Sequence, residues 1–323
     1  MLAPFGRKLR IMPRTTVVIC TFNRPGPLAR AIATAREQAL PAGEAAEVLV
    51  VDNSPDSNAR AAVEAMIAAP GLPLRYLAAP DPNISLARNA GVAASDGERV
   101  VFLDDDERCE PGWLHALIAT QVATGADLVF GAVIPEFPGG PPAWDPTGRS
   151  YERKLSWPTG SRLTLRHDES VSGRWIGTGN SLLMRATCLD GPEPFDPFLG
   201  RCGGEDFDLF LRLFEQGRHF VWCAEAVVHE LVPPDRATLA YMRGRNFRTG
   251  QIYGTVLLRR SMAPARDGLL LMAKGVVQLG LVGLRWALAA LRGGGRPAAL
   301  QSVKFTEVAG KITWWRLARA FRA

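Results

Sequence analysis

The 323-residue chain has few cysteines, Cys20, Cys109, Cys188, Cys202 and Cys223, and no two form a Cys-X-X-Cys pair. An odd, scattered set excludes a zinc ribbon or a disulfide framework and fits a reducing compartment. No internal repeat is present, and the only low-complexity run is Gly293-Gly294-Gly295. Residues 1–14 lack a long apolar run, so no secretory signal is expected. Acidic residues nearly vanish near the end: residues 260–323 carry 11 Lys/Arg against 2 Asp/Glu, a net of +9. Residues 15–259 carry 23 Lys/Arg against 30 Asp/Glu, a net of −7, and Arg7, Lys8, Arg10 and Arg14 add +4 in front. An acidic body excludes nucleic acid as partner, because positive charge should then line the working groove. Two basic ends suit a body held against an anionic membrane surface. At 47% hydrophobic and 22% charged, the chain is neither disordered nor a coiled coil and can build a large core.

Apolar runs alternate with helical stretches through the first half. Val17–Cys20, Glu47–Val51, Leu74–Leu77, Arg99–Leu103 and Asp127–Val133 read as strands. Helices are expected after Pro25, over Asn58–Ile67, Ile84–Ala94 and Pro111–Ala123. This alternation predicts βαβ units, an α/β fold and a mostly parallel central sheet flanked by helices. Residues 134–172, rich in Pro, Gly, Trp and Arg, interrupt it as a long excursion: a surface loop with a hairpin, or a wall facing an acceptor. Asn180–Arg185 and His219–Trp222 read as strands, and Glu205–Gln216 and Asp235–Leu258 as helices. Two more helices should follow, broken at 293–297. The division expected is a basic segment 1–14, a catalytic domain 15–259 and a basic amphipathic region 260–323.

Polar clusters stand where parallel sheets bind ligands, at the carboxyl ends of strands. The first is Thr21-Phe22-Asn23 and the second Asp52-Asn53. Asp52 could accept a hydrogen bond from a base or ribose, or simply close an Asx-turn. The third cluster, Asp104-Asp105-Asp106, follows an apolar strand. Alternation puts Asp104 and Asp106 on one side and Asp105 on the other. Converging carboxylates repel unless a cation separates them, and a hard divalent cation on diphosphate oxygens suits that place. Asn83 can cap a helix that carries Arg88, whose planar fork suits phosphate. Glu205, Asp206 and Asp208 open another helix; at 100° per residue Asp206 falls on the seam of Phe210 and Leu213, while Asp208 falls outside with Arg212. A carboxylate on the inward seam is a candidate general base, with Glu205 its competitor. His229 either completes a metal shell or is a hydrogen-bonded histidine at a strand end. Arg243, Arg245 and Arg248 either hold diphosphate or form a solvated face.

Together these segments resemble the inverting glycosyltransferases of family 2, with the GT-A fold. The matching residues are Val-Val-Ile-Cys-Thr-Phe-Asn-Arg-Pro at 17–25, Val-Val-Asp-Asn-Ser at 50–54 and Ala-Arg-Asn-Ala-Gly at 87–91. Phe-Leu-Asp-Asp-Asp-Glu at 102–107 and Gly-Gly-Glu-Asp-Phe-Asp-Leu at 203–209 complete them. Asn-Ile-Ser-Leu-Ala-Arg-Asn, Val-His-Glu-Leu-Val-Pro and Arg-Asn-Phe-Arg-Thr-Gly-Gln look like glucosyltransferases that extend lipid-linked repeat units of succinoglycan-type bacterial exopolysaccharides. The resemblance implies a nucleotide-diphosphate sugar donor, UDP-linked by expectation, and a lipid-linked saccharide acceptor. It implies that Thr21 and Asp52 contact uridine, with Asp52 accepting the uracil N3–H, and that Arg88 lies near base or diphosphate. Asp104 would hold the ribose or sugar side, Asp106 would bind Mn2+ or Mg2+, and Asp206 would be the base. The Gln-X-X-Arg-Trp element of processive synthases is missing, which implies one sugar per encounter.

Two rival readings are weaker. A sugar-1-phosphate nucleotidyltransferase needs a Gly-rich basic loop after its first strand, where this chain has Thr21-Phe22-Asn23-Arg24-Pro25. An inactive membrane-associated assembly protein would not need Asp104, Asp106 and Asp206. Residues 268–291 are apolar, and Asp267, Lys274, Gln278, Arg285 and Arg292, in and beside that stretch, make one narrow polar stripe on the helix. That pattern, with basic and Trp-rich flanks, predicts a helix lying on an anionic membrane rather than crossing it. The place expected is peripheral, on the cytoplasmic face of the bacterial inner membrane.

Overall fold

The structure is a computed structural model and describes residues 14–165, 176–315 and 317. The basic segment before Arg14, the 166–175 part of the central excursion, and Arg316, Arg319 and Arg322 lie outside the described residues. The expected alternation is present: β1 (Arg14–Thr21), α1 (Pro25–Arg36), β2 (Ala45–Asp52), α2 (Arg60–Ile67), β3 (Leu74–Ala78), α3 (Ile84–Ala93), β4 (Arg99–Asp104). Then come β5 (Glu107–Cys109), α4 (Trp113–Thr124), β6 (Leu128–Glu136), β7 (Ser181–Met184) and two single turns, α5 (Arg185–Cys188) and α6 (Leu199–Cys202). α7 (Glu205–Glu215), β8 (Phe220–Leu231), α8 (Leu239–Arg260), α9 (Pro264–Leu291) and α10 (Gly295–Ile312) complete the chain.

One sheet carries all eight strands in the order β3-β2-β1-β4-β7-β6-β8-β5. β3, β2, β1 and β4 run parallel, as does the β6–β8 pair. β7 is antiparallel to β4 and β6, and β5 to β8, so the sheet is mixed, with a parallel half. β5 has no apolar run to announce it, because it is the short charged Glu107-Arg108-Cys109. The excursion lies on the sheet's second half, bridging Val133 with Arg153 and Val221 with Arg162.

Period-two burial builds both faces. Val17, Ile19, Val48, Val50, Val101 and Leu103 pack with Leu28 and Ile32 of α1, Val63 of α2 and Trp113 and Leu117 of α4. Val18, Leu49, Val51, Val100, Phe102 and Phe130 pack on the other face with Ala87 and Val92 of α3 and Leu209, Phe210 and Leu213 of α7. α7 starts tight against α8: Gly204 has φ +98°, and a Cβ there would stand 2.3 Å from Ile252 Cγ2. Only glycine meets both conditions.

The last three helices form a layer of their own. α9 buries Gly268, Gly275 and Val282, one stripe at seven-residue spacing. The opposite arc exposes Leu270, Val277, Leu281, Leu284, Leu288 and Leu291. Lys274, Gln278, Arg285 and Arg292 are exposed along one edge, as the pattern predicts. By length and a mean hydropathy of 1.5, α9 could cross a membrane, and it is the one such helix among the described residues.

Asn180 fastens the middle of the sheet. It sits in the left-handed region at φ +57°, buried. Its Oδ1 accepts from Trp113 Nε1 at 2.7 Å, and its Nδ2 donates to Ala132 O at 2.8 Å and Ala226 O at 2.9 Å. Asn180→Ala should cost about 3 kcal/mol, because it orphans a buried indole N–H and strains the backbone. Urea unfolding measures it.

Candidate active site

The carboxyl ends of β1 and β4 and the first turn of α7 converge on one cleft. β4 ends at Asp104, and Asp105 and Asp106 form a turn before β5. The alternation expected for the triad therefore stops after its first member. Arg24 Nη1 gathers Asp105 Oδ1 at 3.1 Å and Asp106 Oδ2 at 2.9 Å, so Asp105 and Asp106, rather than Asp104 and Asp106, share a partner. Thr21 Oγ1 donates to Asp105 Oδ2 at 2.8 Å, and Arg236 Nη1 stands 3.6 Å from Asp106 Oδ2. Asp104 makes no bond to Arg24 among the described residues, yet its charge is the one that repels Asp106 most. A Cβ on Gly179 would come within 2.4 Å of its Oδ2, so glycine is what lets this backbone pass.

Beneath lies Glu107, whose side chain is fully buried. Its Oε2 accepts from Asp104 N at 3.0 Å and its Oε1 pairs with Arg153 Nη2 at 3.3 Å. Burial, then the charge of Asp104, pushes the Glu107 carboxyl well up. Burial, with Asp104, Glu230 and Asp105 repelling, pushes Asp106 to about 7 against the pull of Arg24. Crowded carboxylates that hold protons near neutrality are a set that a cation would relieve. Among the described residues no three acidic, His or Cys side chains converge to hold a metal by themselves. The oxygen-only donors around Asp106 fit a hard divalent cation that takes one or two carboxylates and finds its other ligands on diphosphate.

Across the cleft, Arg88 of α3 and Glu205 of α7 form a buried ion pair. Asn83 caps α3 as expected, accepting from Ser85 N at 3.0 Å and Leu86 N at 3.4 Å. Arg88 also lies 5.5 Å from the Phe195 ring centre. Burial raises the Glu205 carboxyl against the pull of Arg88. Glu205 Oε2 is buried with no hydrogen-bond partner.

Asp206 is half-buried, with Oδ1 accepting from Phe207 N at 2.7 Å. Its Oδ2 stands 3.9 Å from where a Cβ on Gly177 would be, beside Arg153, and its charge reaches Arg88 and Arg153. It is thus not packed among Phe210 and Leu213: one turn earlier, the seam has run past the core and opens on the cleft. The outward placing of Asp208 is corrected as well. Asp208 is buried, bonded to Arg212 Nε at 3.0 Å as its spacing suggested, and covered by Arg260 of α8, whose Nη1 is 3.5 Å away.

Several other candidates stand apart. Asp52 is fully buried, and its carboxylate accepts from Ser54 N, Ala59 N and Tyr76 OH, each at 3.0 Å. Its bonds to Ser54 N and Ala59 N fit the turn reading. Asn23, at φ +56°, joins the β1 and β2 ends, donating from N to Ser54 Oγ at 3.0 Å and accepting from Asn58 Nδ2 at 2.6 Å. His229 fits the hydrogen-bonded reading: its Nε2 meets Glu110 Oε1 at 2.7 Å. The next residue, Glu230, sends its charge to Asp106 and Glu107 instead. Strand alternation at 229–230 was the signal for it. Arg245 and Arg248 are exposed and make no bond to the cluster among the described residues, while Arg243 turns to Ser302. Arg236, before α8, is the arginine of that region that reaches Asp106. Arg24, Glu107 and Arg153 were visible in the sequence as neighbours of motifs but had nothing to assign them partners.

The profile of Glycosyl transferase family 2 matches residues 16–183. The chain is 33% identical over 254 residues to Succinoglycan biosynthesis protein ExoM of Rhizobium meliloti (strain 1021), covering 77% of this chain and 78% of that one. The chain belongs to glycosyl transferase family 2, and it is a glycosyltransferase. Glycosyltransferase AglE of Haloferax volcanii is 28% identical over 185 residues, 57% of this chain and 56% of that protein. Among solved structures, S. aureus TarS 1–349 superposes with a TM-score of 0.53 at 15% identity, covering 95% of this chain and 91% of that one. The same TarS fragment in complex with UDP gives a TM-score of 0.52 at 16% identity, over 95% of this chain and 91% of that one. These likenesses establish the GT-A fold.

The Arg88–Glu205 pair generates a stability prediction. Glu205→Gln leaves a buried guanidinium without its counter-charge and should cost about 3–5 kcal/mol. Replacing both partners, Arg88→Met with Glu205→Met, should cost less than Glu205→Gln alone. Equilibrium urea unfolding of the three variants is the check.

Proposed function

We propose that the protein transfers a hexose from a UDP-sugar to a lipid-linked saccharide, with inversion, in cell-surface polysaccharide synthesis. The observation that carries the reading is Asp206, a half-buried carboxylate at the start of α7 whose charge reaches Arg88 and Arg153, the arginine that pairs with Glu107 below the acidic turn. Asp206 takes the proton of an acceptor hydroxyl, which attacks the anomeric carbon as the nucleotide diphosphate leaves. The carbon is attacked from the side opposite the leaving group, so an α-linked donor gives a β-linked product. Arg88 and Glu205 hold the turn that carries Asp206. Asp106, with Asp104, would hold Mn2+ or Mg2+. Such a cation neutralises the charge that grows on the leaving diphosphate. Arg24 and Arg236, both partly exposed, add positive charge on the same side.

The UDP complex of TarS and the succinoglycan role in the name of ExoM support a UDP-sugar donor and a polysaccharide product. The missing Gln-X-X-Arg-Trp element supports a non-processive enzyme. We further propose that residues 260–323 are a membrane-association region at the cytoplasmic face. α9 is packed along one side by α8 and α10 and exposes leucines on the other, which suits a helix lying on a bilayer rather than one surrounded by lipid.

Asp206→Asn keeps size and hydrogen bonding but takes no proton. It should lower transfer by ~10²–10⁴, the usual worth of a general base, with donor affinity nearly unchanged. Normal turnover in Asp206→Asn with a dead Glu205→Gln that still folds would move the base one residue. A pH dependence follows too. A proton on Asp106, held up to about pH 7, competes with a cation. Mn2+-dependent UDP binding should therefore strengthen as pH rises through that value and weaken below it. Calorimetry across this range reads it, and Asp106→Asn should remove the Mn2+-dependent part at every pH.

A further inference from the structure

A cleft of about 400 Å3 opens where α8, α9 and α10 meet the loop of Ala143 and Trp144, away from the carboxylates. Trp144, Leu239, Arg243, Trp286, Arg296 and Ala298 line it. Two of the polar groups are already engaged. Trp144 Nε1 donates to Ala237 O at 3.1 Å, and Arg296 donates to Asp145 Oδ1 at 3.0 Å and Thr147 Oγ1 at 2.8 Å. Arg243 differs. Its Nε donates to Ser302 Oγ at 2.8 Å, and its guanidinium lies 5.8 Å from the Trp286 ring centre. Among the described residues no carboxylate pairs with it, whereas Arg259 and Arg260 at the other end of α8 pair with Asp196 and Asp208.

A guanidinium with unspent donors, backed by an indole in an apolar recess, has the chemistry of a phosphate ligand. Partial desolvation strengthens its attraction for an anion. The surroundings choose between a free anion and a lipid. Leu239, Ala298 and Ala299 make much of the lining apolar, which gives inorganic phosphate nothing. The recess adjoins the α9–α10 turn on the Trp286 side of α9, and Leu284, Leu288 and Leu291 are exposed on the opposite side of the same end of that helix. Trp286 and Trp144 supply the amphipathic rings favoured at a bilayer interface. We propose that this cleft binds the phosphate of an anionic membrane lipid headgroup, with Arg243 as its anion ligand, the two arginines of the lining repelling the cation of a zwitterionic headgroup, and the lipid chains passing round α9 to its exposed leucines. The assignment rests on reading α9 as membrane-facing.

Vesicle co-sedimentation of the full chain tests it, with phosphatidylcholine alone and with added phosphatidylglycerol. Arg243→Lys keeps the charge but loses the fork, and Ala298→Leu fills the cleft while keeping every charge. Each should weaken binding to the phosphatidylglycerol vesicles about tenfold, the worth of a charge-assisted hydrogen bond, and leave binding to phosphatidylcholine unchanged. Arg285→Lys, on the exposed edge of α9, should change neither. If Arg243→Lys binds phosphatidylglycerol vesicles like the wild type, the headgroup site is refuted while α9 stays membrane-facing. If the wild type binds neither vesicle, the membrane reading falls and the site with it. Calorimetric binding of inorganic phosphate that needs Arg243 and ignores vesicles would make the cleft a free-anion site and overturn the lipid assignment.

Discussion

The buried pair of Arg88 and Glu205 is the contact on which the cleft depends. It joins residues 117 apart in sequence and clamps the helix after β3 to the helix before β8. Two charges taken out of water cost several kcal/mol each, on the order of what their attraction returns, so the pair is poor evidence for stability. Its effect is on direction. Glu205 cannot leave Arg88 without stranding it, so the first turn of α7 has one orientation, and Asp206 follows.

Opposite, the acidic turn is held by the reverse device. Asp105, Asp106 and Glu107 are crowded enough to bind protons readily, and Arg24, Arg153 and Arg236 restrain them without neutralising all of them. All three arginines come from outside the strands: Arg24 from the connection of β1 to α1, Arg153 from the excursion and Arg236 from the segment before α8. The long interruption in the βαβ pattern is therefore part of the site's electrostatics. Whether its 166–175 portion also touches an acceptor lies outside the described residues.

What sequence reading recovered follows from local physics. Strand and helix positions in the first half were legible because burial on both faces of the sheet writes itself as unbroken Val-Val-Ile and Val-Leu-Val-Val runs. Asn83 was legible as a cap because its partners are two and three residues away. The failures are long-range. Asp208 looked outward on α7 taken alone, and Arg260, from the end of α8, covers it. His229 and Glu230 are one strand position apart, and only the neighbouring strand decides which of them meets the acidic turn. Asp52 reads as a turn from its neighbours, since Ser54 N and Ala59 N donate to it, but its third donor, Tyr76 OH, comes from 24 residues away on β3.

Gly204 deserves a mechanical reading beyond its packing. Ile252 rests where a side chain would otherwise stand, so the middle of α8 bears directly on the turn that carries Glu205 and Asp206. α8 is also packed along α10, and Gly250 lies against the α10 backbone at Glu307 and Lys311. The outer helical layer thus touches the turn of the proposed base through one close contact. A shift of α10 against α8 would reach α7 through Ile252, and with it the direction of Asp206.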